Sequence, residues 1–143
     1  MKTSTVLLAV LVLFAGCKPG KNSETSLATL QWGQADGLPV HQFTLANKQG
    51  MVVKISDFGA TITQIWVPDK KGLLENVVLG FDSLSGYQGE HPYFGALVGR
   101  YGNRIAKGMF TLNDTVYTLA VNNGVNHLHG GLKGFNKHVF SVD

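Results

Sequence analysis

Short β-rich runs separated by turn residues constrain the fold of this chain more than any other feature. The runs His41–Ala46, Met51–Ser56 and Thr61–Val67 contain many β-branched and aromatic residues. Residues 47–50 read as a turn between the first two runs, and Pro68 ends the third. Because no segment sustains apolar residues at i, i+3, i+4 and i+7 over three helical turns, the pattern predicts strands and no substantial helix.

Two later segments extend this β pattern. Leu73–Phe81 carries Val77, Val78 and Leu79 in succession, which predicts a buried strand. Met109–Leu112 and Val116–Leu119 predict a hairpin around a turn at residues 113–115. Strands and turns that alternate this regularly favour an all-β, antiparallel β-sandwich.

The first sixteen residues have the outline of a secretory signal peptide. Lys2 precedes an apolar run, Val6–Phe14, and small residues follow at Ala15 and Gly16. The apolar run is shorter than the roughly 20 residues that a membrane-spanning helix needs. Residues 1–16 are therefore predicted to be a leader and are excluded from the fold.

Cys17 is the chain's only cysteine, so it cannot form an intramolecular disulfide. Its position directly after Ala15 and Gly16 resembles a bacterial lipoprotein processing site, which predicts a lipid-modified cysteine. The alternative is an ordinary cleaved signal followed by an incidental cysteine. Because Lys18–Ser26 is rich in Lys, Ser, Gly and Pro, residues 17–30 are assigned to the lipidated cysteine and a flexible tether. We expect an exported protein, anchored at a membrane surface and facing the periplasm or the cell exterior.

Composition limits the partners of the remaining residues, 31–143, which are assigned to one domain. The chain has a net charge of +3, and 15% of its residues are charged against 44% hydrophobic. Its cations are scattered, and no basic stripe with interleaved aromatic residues is present. This composition argues against nucleic acid as a partner.

The segment Asn122–Asn136 is the most unusual part of the chain, with four Gly, four Asn and two His among fifteen residues. Glycines allow close backbone approach, and Asn and His supply hydrogen-bond donors and acceptors without fixed charge. This combination indicates a site for a polar, uncharged ligand such as a sugar. A second cluster of Gly, aromatic and cationic residues lies at His91–Gly108.

Together the two clusters resemble the aldose 1-epimerase (galactose mutarotase) family. The first motif is G-R-x-x-N-R-I-A-x-G-x-F, which begins at Gly99 and ends at Phe110. The second is N-x-L-H-G-G-x-x-G-F, which begins at Asn126 and ends at Phe135. The resemblance covers roughly Gln31 to Asp143 and implies the N-terminal part of a longer family domain. The implied fold is a galactose-mutarotase β-sandwich that is incomplete at its C-terminus, where residues 140–143 resemble a strand.

The family resemblance implies an isomerase that interconverts the α and β anomers of hexoses such as galactose or glucose. The reaction needs a base to take the proton of the C1 hydroxyl and an acid to protonate the ring oxygen. In the family these groups are a Glu near the C-terminus and a His in the middle of the domain. Both are expected beyond Asp143, so no catalytic residue is assigned within this chain, and His138 is not assigned the role of the acid.

The same resemblance assigns substrate binding to Asn103, Arg104 and His129. On local composition alone, Arg104 reads as a surface arginine, His129 as a core histidine and Asn103 as a turn residue. The guanidinium of Arg104 offers a rigid fork of donors, and His129 can donate or accept towards a ring oxygen. Tyr93 and Phe94 either form an apolar wall beneath a sugar or pack in the core.

No cofactor is implied, and a metal site is not predicted. His127 and His129 would share a face if both lay on a strand, but no third ligand is near in sequence. Two alternative functions remain: a noncatalytic carbohydrate-binding lipoprotein and an epimerase of a hexose phosphate. The phosphate alternative would require extra cations, for which Lys107 and Lys133 are the local candidates.

Overall fold

The computed structural model describes residues 26–143, so the predicted leader at residues 1–16 and the lipidation site Cys17 lie outside the described part. The strands are β1 (Ser26–Ala35), β2 (Leu38–Ala46), β3 (Val52–Ser56), β4 (Thr61–Pro68), β5 (Leu74–Asn76), β6 (Arg104–Ile105), β7 (Met109–Leu112), β8 (Thr115–Thr118) and β9 (His127–Leu128). One short helix, α1 (Leu84–Gln88), and two 3₁₀ segments (Ala106–Gly108 and Phe135–Lys137) complete the elements. Within these residues, no helix has the length and apolar character needed to cross a membrane.

Strands β1 to β5 form one antiparallel sheet in chain order, and the small pairs β6–β9 and β7–β8 stand apart from it. The all-β prediction is confirmed, as are the strands predicted at 41–46, 51–56 and 61–67. A side chain closes the turn between β2 and β3, because Asn47 Oδ1 accepts the N–H groups of Gln49 (3.0 Å) and Met51 (2.9 Å).

The main core lies between this sheet and α1. It consists of Ala35, Val40, Phe58, Leu84 and Tyr87. Leu84 and Tyr87, three residues apart, are the buried residues of α1, and the Tyr87 hydroxyl accepts the main-chain N–H of Phe81 at 2.9 Å. The sequence did not predict this helix, because five residues are too few to show a helical period.

Polar side chains on the buried face of the sheet bond to one another. Gln42 and Thr63 are both buried, and Gln42 Nε2 donates to Thr63 Oγ1 at 3.1 Å. The Thr63 hydroxyl in turn donates to the carbonyl of Lys54 at 3.2 Å. Because each buried polar atom has a partner, the face carries these residues without a large desolvation penalty.

Two sequence predictions about strand boundaries are wrong. Residues 26–30, assigned to the flexible tether, lie in β1, where their main chain pairs with β2. The buried strand predicted at Leu73–Phe81 is reduced to the three residues of β5, and Val77 and Leu79 are 59% and 72% exposed. The ladder becomes irregular at Asn76, whose side-chain oxygen accepts the N–H of Ile65 at 3.0 Å, although the Val77 N–H still donates to the Ile65 carbonyl at 2.9 Å.

The hairpin of β7 and β8 was predicted with a three-residue turn, but its loop contains two residues. Leu112 pairs with Thr115, and Asn113 and Asp114 have φ of 48° and 58°. Two consecutive positive φ angles define a type I′ turn, whose twist matches that of the strands it joins. The paired rings of Phe110 and Tyr117 stack with their centroids 5.1 Å apart.

The strand expected at residues 140–143 is also absent from the described structure. Val139 forms an isolated bridge with Phe58, and the N–H of Phe140 donates to the carbonyl of Asp57 at 2.9 Å. Beyond these contacts, residues 141–143 have no regular secondary structure.

Candidate functional site

The short β6–β9 ladder brings the two sequence motifs together. Arg104 pairs with Leu128, and Ile105 pairs with His127. Asn103 precedes β6 and His129 follows β9, so antiparallel pairing sets these two residues side by side. The main-chain N–H of Asn103 donates to His129 Nδ1 at 2.9 Å, and the N–H of His129 donates to the carbonyl of Asn103 at 3.1 Å.

Both of these residues have left-handed backbone conformations, with φ of 66° at Asn103 and 51° at His129. Asn and His adopt this region more readily than most residues. The conformation ends the strand character of β9 at Leu128 and turns the imidazole towards Asn103. The motif residues Asn103 and His129 are therefore of types that suit the left-handed backbone found at these positions.

Arg104 joins the same group through its side chain. Its Nε–H donates to Asn123 Oδ1 at 2.8 Å, and Nη1 donates to Asn103 Oδ1 at 3.2 Å. The guanidinium is exposed, and in the described part of the chain no carboxylate lies within 4.0 Å of it. The structure thus places the three predicted binding residues in one connected cluster, which we call the Arg104 cluster (Asn103, Arg104, Asn123 and His129).

The aromatic residues Tyr93 and Phe94 pack against different parts of the structure. The Tyr93 ring meets the His129 ring edge to face, with centroids 4.7 Å apart. The Phe94 ring instead packs against Phe81 at 5.7 Å, on the side of the core. Tyr93 is therefore the aromatic neighbour of the Arg104 cluster, and Phe94 belongs to the packing of the fold.

The hydrogen bond from Asn103 also determines the tautomer of His129. A neutral imidazole has one donor and one acceptor nitrogen. Because Nδ1 accepts the Asn103 N–H, the proton of the neutral ring lies on Nε2. His129 is therefore arranged to donate a hydrogen bond from Nε2 to a ligand.

Arg104 lines a cavity of about 400 Å³ together with Tyr101, Ile105, Ala106 and Phe110. A second cavity, of about 370 Å³, touches the Arg104 cluster at Asn123 alone. Asn123 lines it, as does Leu128, whose side chain shares a face of the ladder with Arg104. Its volume lies near the lower end of the range for small-molecule sites. Its further lining residues are Gly89, Glu90, His91, Tyr93, Asn122, Gly131, Leu132, Asn136 and Lys137.

The side-chain amides of Asn122 and Asn126 bond to the protein's own main chain, which the sequence interpretation missed. Asn122 Nδ2 donates to the carbonyls of Leu128 (2.9 Å) and Gly131 (3.1 Å), and its Oδ1 accepts the Leu128 N–H at 2.7 Å. Asn126 Oδ1 accepts the N–H of Lys107 at 3.2 Å. Asn123 differs from these two, because its side chain bonds to Arg104. That contact joins residues nineteen positions apart, so the sequence pattern does not reveal it.

The glycines after His129 serve close contacts within the protein. Gly130 has φ of 92°, and a Cβ atom there would lie 1.8 Å from the carbonyl oxygen of Gly99. A Cβ on Gly131 would lie 2.9 Å from Cε1 of His127. At both glycines the space that a Cβ would take is therefore occupied by the protein itself.

His127 and His129 do not share a face, contrary to the strand geometry considered for a metal pair. His127 is 6% exposed, and its Nδ1 lies 2.9 Å from the carbonyl oxygen of Ala120. His129 has left the strand through its positive φ angle. Among residues 26–143, no three His, Cys, Asp or Glu side chains converge in a manner suited to a metal ion.

The lysines near the site are engaged by the protein. Lys133 Nζ forms an ion pair with Asp36 at 2.6 Å, and the adjacent ammonium holds the Asp36 pKa below its usual value. Lys137 Nζ donates to the carbonyls of Tyr87, Gln88 and Gly89 at 2.8, 3.0 and 2.6 Å. These three bonds use all the donors of that ammonium group, and burial lowers its pKa.

Comparison with known proteins gives the family of the chain. The family model described as aldose 1-epimerase matches residues 41–143. The chain therefore belongs to the aldose 1-epimerase family.

Individual relatives give the extent of the similarity. Over 98 residues the chain is 55% identical to a galactose mutarotase of Bos taurus, a match covering 68% of this chain and 28% of the relative. Over 107 residues it is 40% identical to the aldose 1-epimerase of Escherichia coli (strain K12), covering 75% of this chain and 31% of the relative. The chain thus spans less than a third of the length of these relatives.

A solved structure shows the same fold. The chain superimposes on a galactose 1-epimerase from Lactobacillus acidophilus NCFM with a TM-score of 0.70 and 30% sequence identity. The match covers 81% of this chain and 33% of that one. The antiparallel β architecture of residues 26–143 is thus that of the galactose epimerases.

Proposed function

We propose that this chain provides the sugar-binding part of an aldose 1-epimerase, an isomerase that interconverts the α and β anomers of hexoses such as galactose or glucose. The observation that carries the proposal is the Arg104 cluster, where Asn103 contacts both the guanidinium of Arg104 and the imidazole of His129. Family membership and the galactose-directed names of its relatives support the substrate class.

The chemistry of the cluster suits ring opening. As the ring bond breaks, negative charge develops on an oxygen that was bonded to C1. The fixed positive charge of Arg104 stabilises that charge, and Nε2–H of His129 donates to the same or the neighbouring oxygen. The general acid and base are assigned by the family resemblance and are not placed among the described residues.

The alternative of a hexose-phosphate substrate has weaker support. It would need cations free to meet a phosphate. Lys133, one of the two candidates, is paired with Asp36 at 2.6 Å. The main-chain N–H of the other, Lys107, bonds to Asn126, and no described contact directs its ammonium group to the cavity.

A binding experiment tests the proposal on the chain itself. Galactose is titrated into isotope-labelled protein while the side-chain NMR signals of Arg104 and His129 are followed. We expect saturable shifts with galactose and none with galactitol, whose open chain has no pyranose ring. Equal responses to both compounds would contradict a sugar-ring site.

A chimera separates an enzyme from a noncatalytic binder. In it, this chain replaces the matching 107 residues of the E. coli relative, and polarimetry follows fresh α-galactose. We expect acceleration above buffer, and a loss of at least about tenfold on Arg104→Ala or His129→Ala, since each removes a charge-stabilising group. If the chimera folds and binds galactose without accelerating mutarotation, the noncatalytic function is favoured.

We propose in addition that the protein is exported and anchored to a membrane by lipid on Cys17. The support is the sequence pattern of an apolar run followed by Ala15, Gly16 and Cys17. A clickable fatty acid supplied to bacterial cells that express the protein should label it, and Cys17→Ser should abolish the label. Labelling that persists in Cys17→Ser would contradict the assignment, because the chain has one cysteine.

A further inference from the structure

The Arg104 side chain is held by a residue that the family motifs do not include. Asn123 Oδ1 accepts the Nε–H of Arg104 at 2.8 Å, which is the shorter of the two hydrogen bonds to the guanidinium. We propose that Asn123 is a positioning residue that sets the orientation of Arg104 in the sugar site without reducing its charge. This inference rests on the proposed function, since it concerns the same site.

The backbone of Asn123 is itself well fixed. Its N–H donates to the carbonyl of Asn126, and the Asn126 N–H donates back to Asn123, both at 3.0 Å. Gly124, with φ of 58°, begins the intervening turn. An acceptor on such a tight turn has little freedom to follow the long Arg104 side chain, so the arginine adapts to the amide.

The two hydrogen-bond partners of the Arg104 guanidinium are neutral amides, so its positive charge and its other donors remain available to a ligand. Arginine has five N–H donors, of which one bonds to Asn123 and one to Asn103. Three N–H groups therefore remain for the hydroxyl and ring oxygens of a sugar. A carboxylate in place of either amide could accept the same hydrogen bond from Arg104. Its negative charge would offset the positive charge of the guanidinium, which stabilises the negative charge that develops on the sugar.

Asn123 also connects Arg104 to the neighbouring cavity. The side chain lines the cavity of about 370 Å³ together with Tyr93 and Leu128. Tyr93 contacts His129, and Leu128 pairs with Arg104 across the ladder. Arg104 itself lines the cavity of about 400 Å³, so the Arg104–Asn123 bond joins residues that line two different cavities.

Two substitutions separate positioning from direct contact with the sugar. Asn123→Ala removes the acceptor, whereas Asn123→Asp keeps an oxygen at the same place and removes the amide donor. The first readout is hydrogen exchange of the Arg104 Nε–H in the 143-residue chain. We expect slow exchange in the parent, rapid exchange in Asn123→Ala and slow exchange again in Asn123→Asp.

The second readout is the dissociation constant for galactose. We expect Asn123→Ala to weaken binding by about tenfold and Asn123→Asp to restore it to within about threefold of the parent. In the chimera described above, Asn123→Asp should lower kcat about tenfold with little change in KM, because the added carboxylate offsets the charge of Arg104. Val125→Ala, at a site 70% exposed in the same turn, serves as the control and should leave the exchange rate, the dissociation constant, kcat and KM unchanged.

The outcomes are distinguishable. If the Arg104 Nε–H is equally protected in the parent and in Asn123→Ala, the positioning role is wrong. If Asn123→Asp binds galactose as weakly as Asn123→Ala while protecting the Nε–H, Asn123 contacts the sugar directly and the inference is overturned. If even the parent fails to bind galactose, the proposed function fails, while the exchange measurement still decides whether Asn123 holds Arg104.

Discussion

Asn103 and His129 are joined by two hydrogen bonds, one from each main-chain N–H. The Asn103 N–H meets the imidazole Nδ1 at 2.9 Å, and the His129 N–H meets the Asn103 carbonyl at 3.1 Å. A side-chain ring that accepts from a main-chain donor has both its orientation and its tautomer fixed by the backbone. The ladder β6–β9 therefore fixes the orientation and the tautomer of the His129 ring without a ligand.

We expect the neutral His129 ring to carry its proton on Nε2. Long-range ¹H–¹⁵N correlation spectra distinguish the two tautomers, because the protonated and bare ring nitrogens have very different shifts. Asn103→Gly keeps both the N–H and the positive φ, so it should preserve the tautomer. A His129 ring protonated on Nδ1 at neutral pH would contradict the hydrogen bond from Asn103.

Replacing Arg104 with Lys should weaken galactose binding by about tenfold although the charge is kept. The ammonium has three donors in place of five and no planar fork, so bonds to Asn103 and Asn123 would leave one donor for a ligand where the guanidinium leaves three. Titration calorimetry measures the change. Arg100→Lys is the matched control, because Arg100 lies over the Phe135 ring, 5.4 Å from its centroid, and its replacement should leave galactose affinity within about twofold of the parent.

Gly130→Ala should reduce the free energy of unfolding by about 3 kcal/mol or more. Its φ of 92° disfavours a side chain, and the new Cβ would meet the Gly99 carbonyl oxygen. Gly124→Ala also has a positive φ, 58°, but no atom lies within 4 Å of its Cβ position, so we expect a loss of about 1 kcal/mol. Urea denaturation of both variants tests the difference, and equal losses would show that the close approach to Gly99 carries no cost.

Asp114→Gly should stabilise the β7–β8 hairpin by about 0.5 kcal/mol, since Asn-Gly is the preferred pair for a type I′ turn. Asp114→Ala, which must adopt the positive φ of 58° without the help of glycine, should be about 1 kcal/mol less stable than Asp114→Gly. Thermal and urea unfolding compare the two. The opposite order of stability would argue against the two-residue turn.

His91 should make stability depend on pH. Burial, together with the nearby charge of Lys137, lowers the His91 pKa, and its Nδ1 accepts the Tyr93 N–H at 3.1 Å. Between this lowered pKa and the usual value of about 6.5, the unfolded chain binds more protons, so stability rises with pH in that window.

Asn at position 91 can keep the acceptor for Tyr93 but does not titrate. His91→Asn should therefore lose less stability than the parent when the pH falls from about 7 to about 5. Denaturant unfolding at several pH values measures the two slopes. Parallel slopes would mean that His91 titrates alike in the folded and unfolded states.

The sequence predicts the central strands well, because β-branched runs between turn residues reflect local preferences that the sheet also satisfies. It fails where a distant contact decides the outcome. At the end of β5 the side chain of Asn76, rather than a main-chain carbonyl, accepts the N–H of Ile65, and α1 buries Leu84 and Tyr87 although it is too short to show a helical period.

The candidate site likewise contains some residues that the sequence indicates and others that only a distant contact reveals. The motifs indicate Asn103, Arg104 and His129, since these residues lie within recognisable strings. Asn123 lies outside both motifs, and the observation that singles it out is a hydrogen bond to a residue nineteen positions earlier. The amides of Asn122 and Asn126 likewise look like ligand donors in the sequence, but Asn122 bonds within its own loop and Asn126 bonds to the main chain of Lys107.

The missing side chain at Gly130 has a consequence for protein engineering. Since a Cβ at this position would lie 1.8 Å from the carbonyl oxygen of Gly99, the main chains of the two motif segments lie too close together for a side chain between them. A transfer of these segments to another scaffold would have to move both together, with their mutual spacing intact.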